Sequence, residues 1–228
     1  MPIFFQHQIN ETTRLGIWKI EENEDFFKNN VPLHRDVTHP HKRLQHLAGR
    51  FLLQFLFPDF PYELIRIADT RKPFLPGEQY HFSISHCGDY AAAIVSKNSR
   101  VGIDIEIPVD KIARIKDKFL NDDEQEKWAN VIATATASEP NQEAGSRKQD
   151  NEQSVNPDKN VLLTLLWSSK ESVFKWYGDG KVDFREHILL IGQHDAQETI
   201  DCFFTKNQSN LSIQYRKLDH LVLAWVVS

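Results

Sequence analysis

The chain has 228 residues, 40% hydrophobic and 26% charged, with a formal net charge of −5 at pH 7. This is the composition of a globular chain long enough for one large domain or two small ones, and its acidic balance argues against nucleic acid as a partner. The two cysteines, Cys87 and Cys202, make neither a metal-ligand spacing nor a disulfide framework, and no apolar run is long enough to span a bilayer. Residues 1–10 lack the basic-then-apolar order of a signal peptide, so the expectation is a cytoplasmic, reduced, monomeric protein away from membranes.

In chain order, residues 15–20 alternate as a strand does, and the acidic stretch 21–30 predicts a short helix. Residues 39–57 predict a strong helix, with Pro40 at its start and Pro58 after its end. Leu44, Leu47, Ala48, Phe51, Leu52, Phe55 and Leu56 form its buried stripe. Lys42, Arg43 and Arg50 flank that stripe. Singly they are solvated helix-edge residues; together, near a helix start, they fit a phosphate.

Residues 71–96 predict antiparallel strands. Lys72-Pro73-Phe74-Leu75 leads into a turn at Pro76-Gly77, and Tyr80, Phe82 and Ile84 alternate with His81, Ser83 and Ser85. Ser85 and His86 fall at a strand end. Alone, His86 is a hydrogen-bonded structural histidine and Cys87 a plain buried thiol. Residues 101–107 predict a strand with Ile103, Ile105 and Ile107 on one face and Asp104 and Glu106 on the other. Two carboxylates on one strand face repel unless they meet water or a cation. The pair is therefore either a solvated edge or a shelf for Mg²⁺, which takes carboxylates together with substrate phosphate oxygens.

Residues 111–132 predict helix, broken at the cap-like Asn121-Asp122-Asp123-Glu124. Residues 133–160 have no apolar period and predict a mobile surface loop, with its core at about 134–160. The chain regains apolar character at Val161. Residues 167–180 then predict a helix capped by Ser168, with Glu171 at capping-box spacing and Gly178 and Gly180 as its stop. Glu171 and Lys175 share a face. Strands follow at 187–191, 200–205, 211–217 and 221–227. The fold class expected is α+β (α/β), with a helix followed by antiparallel strands in each half.

Three stretches now come together in order. Phe82-Ser83-Ile84-Ser85-His86, Gly102-Ile103-Asp104-Ile105-Glu106 and Trp167-Ser168-Ser169-Lys170-Glu171-Ser172-Val173-Phe174-Lys175, with Arg71-Lys72-Pro73, resemble the signature of 4′-phosphopantetheinyl transferases of the Sfp type. The resemblance covers residues 42–180 in blocks. Any one block is weak; the ordered set is specific. The 133–160 stretch matches no motif and resembles an insertion.

The resemblance implies two similar halves related by a pseudo-twofold, residues 1–100 and 101–228, with the active site in the cleft between them. It implies transfer of the phosphopantetheine arm of coenzyme A onto a serine of an acyl or peptidyl carrier protein, releasing 3′,5′-ADP. Asp104, Glu106 and Glu171 would hold Mg²⁺. Glu171 would also be the candidate base, and Lys175 would meet the phosphates. Lys72, Ser85 and His86 would bind coenzyme A, assisted by Arg43 or Arg50; Lys28 and Arg35 are further upstream candidates. Lys72 and His86 are expected on the strand system of the first half, away from the carboxylates.

The residue types suit that chemistry on their own terms. Transfer at a pyrophosphate needs phosphate charge neutralised, a serine hydroxyl needs a proton acceptor, and an anionic leaving group needs fixed cations. A position near a helix N-terminus would favour the charged form of Glu171, which suits a ligand better than a base. Two other readings use the same residues: a Mg²⁺-dependent phosphohydrolase of coenzyme A or a nucleotide, and a non-catalytic carrier-protein binding module.

Overall fold

The computed structural model describes residues 2–31, 37–70, 72–135 and 157–228. Arg35 and Arg71 lie outside the described residues, as does most of the expected loop. The structure has an α+β fold with two antiparallel sheets and a small ribbon.

The first sheet has the order β1-β2-β6-β5, from β1 (Ile3–Asn10), β2 (Thr13–Lys19), β5 (His81–Cys87) and β6 (Tyr90–Ser96). The ribbon pairs β3 (Arg66–Ile67) with β4 (Pro73–Phe74). The second sheet has the order β7-β11-β10-β9-β8, from β7 (Val101–Glu106), β8 (Ile188–His194), β9 (Thr199–Phe204), β10 (Ser209–Leu218) and β11 (Leu221–Val227). Short α1 (Glu24–Lys28) is capped by Asn23, and α2 (Pro40–Leu56) by His39 with Pro40 in its first turn.

Side-chain alternation separates three cores. Trp18, Ala91, Ala93 and Val95 face α2. Leu15, Ile17, Ala92 and Ile94, from the other face of the same sheet, meet Ile103, Ile105, Leu223 and Trp225 of the second sheet. Val222, Ala224 and Val226 face a long helix, α5 (Pro157–Tyr177). The layers are thus helix, sheet, sheet, helix, with α2 and α5 outside.

α3 (Lys111–Ile115) and α4 (Asp122–Ala135) are separate helices, as the cap-like sequence between them implies. Asn121 Oδ1 accepts the Glu124 N–H and Glu124 Oε2 accepts the Asn121 N–H, both at 2.9 Å, a reciprocal cap. Two boundaries differ from the sequence reading. Helix α4 continues to Ala135, and α5 starts at Pro157 rather than at Ser168. Proline is favoured in a first helical turn, and the apolar residues after Val161 continue that helix into the core.

Candidate active site

The site lies along the seam between the two sheets. β5 and β7 are the facing edges, and side chains take the place of a ladder between them. Ser83 Oγ accepts the Ile103 N–H at 3.2 Å, Ser85 Oγ the Ile105 N–H at 3.3 Å, and Cys87 Sγ the Ile107 N–H at 3.3 Å. This comb satisfies edge amides that would otherwise be buried unpaired. It also sets His86 beside the carboxylate strand, so the expectation that His86 lies away from Asp104 is corrected.

α5 packs across the same strand. A Cβ at Gly102 would stand 2.0 Å from Ser172 O and 2.6 Å from Trp176 N, so only glycine lets helix and strand approach this closely. Asp104 and Glu106 share the face of Gly102 and therefore look toward α5. Asp104 is 3% exposed, which removes the solvated-edge reading. Its Oδ1 accepts from Ser85 Oγ at 2.8 Å and Lys175 Nζ at 2.6 Å, and its Oδ2 from Ser168 Oγ at 2.9 Å. Lys175 Nζ also reaches Ser85 Oγ at 2.9 Å. Ser168 is therefore no N-cap: it is fully buried inside α5 and spends its hydroxyl on Asp104.

Glu171 lies deep within α5, on the turn before Lys175. It is not near a helix N-terminus, and its charged form is not favoured as that position would imply. Burial first, then the Asp104 charge, pushes its carboxyl up to about 7; Lys175 opposes this and Glu106 adds to it. Burial, then Asp104, also raises Glu106, against the pull of Cys87, Lys175 and Trp167. The Cys87 thiol is pushed up to about 12 by burial and by Glu106, so it stays protonated.

The other predicted residues are placed as follows. Lys72 runs over Gly178 at the C-terminal end of α5 and donates to Trp176 O at 3.4 Å; burial and then Arg100 bring its ammonium down to about 8. Thr70 Oγ1 donates to Gly178 O at 3.1 Å, so the segment around Lys72 is clasped to the end of the helix. His86 is exposed at the rim, with its ring edge-on to His46 at 5.4 Å. Its imidazole is held below the ordinary histidine range by packing, then by Lys175, with Asp104 opposing. Arg43 is engaged with Glu24 at 2.8 Å and Val37 O at 2.8 Å, and Lys28 pairs with the same Glu24. The Arg50 guanidinium is largely buried, with Nη1 unpartnered among the described residues. The structure thus brings Ser85, Asp104 and Lys175 into contact, sets Glu106, Glu171 and His86 around them, and leaves Arg43 and Arg50 on α2.

A pocket of about 210 Å³ adjoins this cluster, lined by Thr70, Lys72, Ser83, Ile84, Phe174 and Lys175. Lys170, next to Glu171 on the chain, points the opposite way, fully buried. It donates to Glu124 Oε2 at 2.7 Å and Phe184 O at 2.8 Å, while Glu124 Oε1 accepts the Leu190 N–H at 2.9 Å. That pair ties α5 to α4 and β8. Spacing marked Ser168 only as a helix cap and did not mark Lys170; the signal for either as part of the site was its place beside Trp167 and Glu171.

Among the described residues, no three acidic, histidine or cysteine side chains converge as a metal-holding group. Lys175 and the two serines occupy the Asp104 oxygens instead. The donor set nonetheless fits Mg²⁺, which binds through one or two carboxylates and completes its shell with substrate phosphates and water. Burial and the Asp104 charge raise both Glu106 and Glu171, an electrostatic cost that a divalent cation relieves.

The site thus sets Lys175 of the buried helix α5 against the strand carboxylate Asp104 at the seam between the two sheets. The sequence profile of the 4′-phosphopantetheinyl transferase superfamily matches residues 100–226, more than half of the chain, and the chain belongs to that superfamily. It is 31% identical to enterobactin synthase component D of Escherichia coli (strain K12) over 137 residues, 59% of this chain and 54% of that protein. It is 30% identical to the protein of that name from Salmonella typhimurium (strain LT2) over 159 residues, 69% of this chain and 55% of the relative. The chain spans about half the length of the curated relatives it matches. Among the described residues, no helix is long and apolar enough to cross a membrane.

Proposed function

We propose that this protein transfers the phosphopantetheine arm of coenzyme A to a serine of an acyl or peptidyl carrier protein. The observation that carries the proposal is the Asp104–Lys175 contact with Glu171 one helical turn away, all within the span that matches the superfamily, and with Ser85 of β5 bonded to both Asp104 and Lys175. The serine oxygen attacks the pyrophosphate phosphorus that bears the pantetheine arm. The bond from that phosphorus to the bridging oxygen breaks, and 3′,5′-ADP leaves with the electron pair. Glu171, one helical turn before Lys175 and beside Asp104, is the candidate to accept the serine proton. Lys175 turns from Asp104 toward the phosphates and offsets charge on the leaving group. Asp104, Glu106 and Glu171 would hold Mg²⁺, which supplies neutralisation and orientation of the pyrophosphate.

Coenzyme A is assigned to the side of the seam formed by Lys72, Ser85 and His86, next to the 210 Å³ pocket. Arg43 or Arg50 on α2 is the proposed further contact for its 3′-phosphate. The two sheet groups are proposed as two halves, residues 1–100 and 101–228, related by a pseudo-twofold. Each has its helix on the outer face of its sheet, which supports that reading. The relatives' name ties them to a synthase, in keeping with a carrier-protein acceptor.

The test is the release of 3′,5′-ADP from coenzyme A and Mg²⁺ with and without a carrier protein. Release that depends on a carrier with its acceptor serine is the expected result. Release without any carrier would make the chain a phosphohydrolase, and no release in either case would make it a binding module.

A further inference from the structure

We infer that Ser168 is a positioning residue that sets the orientation of the Asp104 carboxylate, an inference that rests on the transferase reading. Asp104 Oδ1 takes both Ser85 and Lys175, whereas Oδ2 is held by Ser168 at 2.9 Å. On the transferase reading Lys175 turns from Oδ1 toward the phosphates when they arrive, drawn by their charge. Once it does, Ser85 and Ser168 are the two fixed donors, one on each oxygen, and between them they stop the carboxylate turning about its Cβ–Cγ bond. They come from different elements, β5 and α5, so the carboxylate is set by the packing of the two sheet groups rather than by its own strand. Ser168 is 0% exposed, which leaves water no access to replace it.

The neighbouring serine shows that burial alone does not explain this. Ser169 is equally buried, yet its hydroxyl has no partner among the described residues. Ser169→Ala is therefore a control for loss of a buried hydroxyl from the same turn of α5.

The experiment measures coenzyme A binding by calorimetry across a Mg²⁺ series, without carrier protein, so that no turnover occurs. Groups behind a metal ligand typically change metal affinity about 10–100-fold when removed. Ser168→Ala is expected to need about tenfold more Mg²⁺ for the same coenzyme A affinity, with a Tm close to that of Ser169→Ala. Ser169→Ala is expected to match wild type in Mg²⁺ dependence. Should Ser168→Ala fail to fold, Ser168→Cys keeps a weaker donor in the same space, and a smaller shift in the same direction is expected. An unchanged Mg²⁺ dependence in Ser168→Ala, or in Ser168→Cys where that variant stands in, overturns the inference and leaves the transferase reading standing. A wild type whose coenzyme A affinity ignores Mg²⁺ overturns the metal assignment itself, and this inference with it.

Discussion

Lys175 Nζ stands 2.6 Å from Asp104 Oδ1, and Ser85 Oγ bonds to both. The three groups come from α5, β7 and β5, so one carboxylate joins α5 to both sheets. Asp104→Ala would strip the Ser168 hydroxyl of its acceptor in a place water does not reach. Lys175, whose side chain is 24% exposed, can turn outward. We predict loss of nearly all transfer together with a stability loss of about 1–3 kcal/mol, the usual cost of an unsatisfied buried group. Urea unfolding checks this, and a wild-type midpoint in Asp104→Ala would show that the contacts contribute no stability.

The raised Glu171 makes a prediction about pH. Its carboxyl moves from an ordinary 4.5 to about 7 on folding, so the folded protein holds a proton that the unfolded chain has released. A group raised in this way favours the folded state most below about 4.5, and that contribution is lost as pH rises through about 7. In EDTA, wild type should lose Tm between about pH 5 and 8, and Glu171→Gln, which cannot ionise, should lose less. Parallel loss in the two proteins would mean that Glu171 ionises in its ordinary range.

The buried Lys170–Glu124 pair predicts strong non-additivity. Removing one partner leaves a charge in a site that is 0% exposed for Lys170 and 5% for Glu124. Lys170→Ala and Glu124→Ala should each cost about 3–5 kcal/mol. The double variant should cost less than the sum, though not nothing, because Glu124 also accepts the Asn121 and Leu190 amides. A double-mutant cycle by chemical denaturation measures this, and simple additivity would show that the two charges are not coupled.

Much of this arrangement is legible in the sequence because it is local. The stripe of α2, the Asn121 cap between α3 and α4, the alternation of β7 and the closing strands are all periodic signals, and each forms its element. β1 was missed: Gln6, His7 and Gln8 interrupt its apolar residues, and as an edge strand it is only half covered. Ser168 was misread for a different reason. Serine followed three residues later by glutamate looks like a cap, and the residues before Val161 looked like loop, so nothing local showed the helix starting at Pro157. The comb of Ser83, Ser85 and Cys87 on β7 depends on which edges meet, and that is a tertiary fact. The same holds for the rise of Glu171, which follows from its burial beside Asp104 and not from its position along a helix.

The most direct test of the transferase reading is the mass of a carrier protein after incubation with this chain, coenzyme A and Mg²⁺. The account predicts a gain equal to one phosphopantetheine arm, on the acceptor serine, with wild type and not with Asp104→Ala. A carrier whose mass stays unchanged while coenzyme A is cleaved would contradict it.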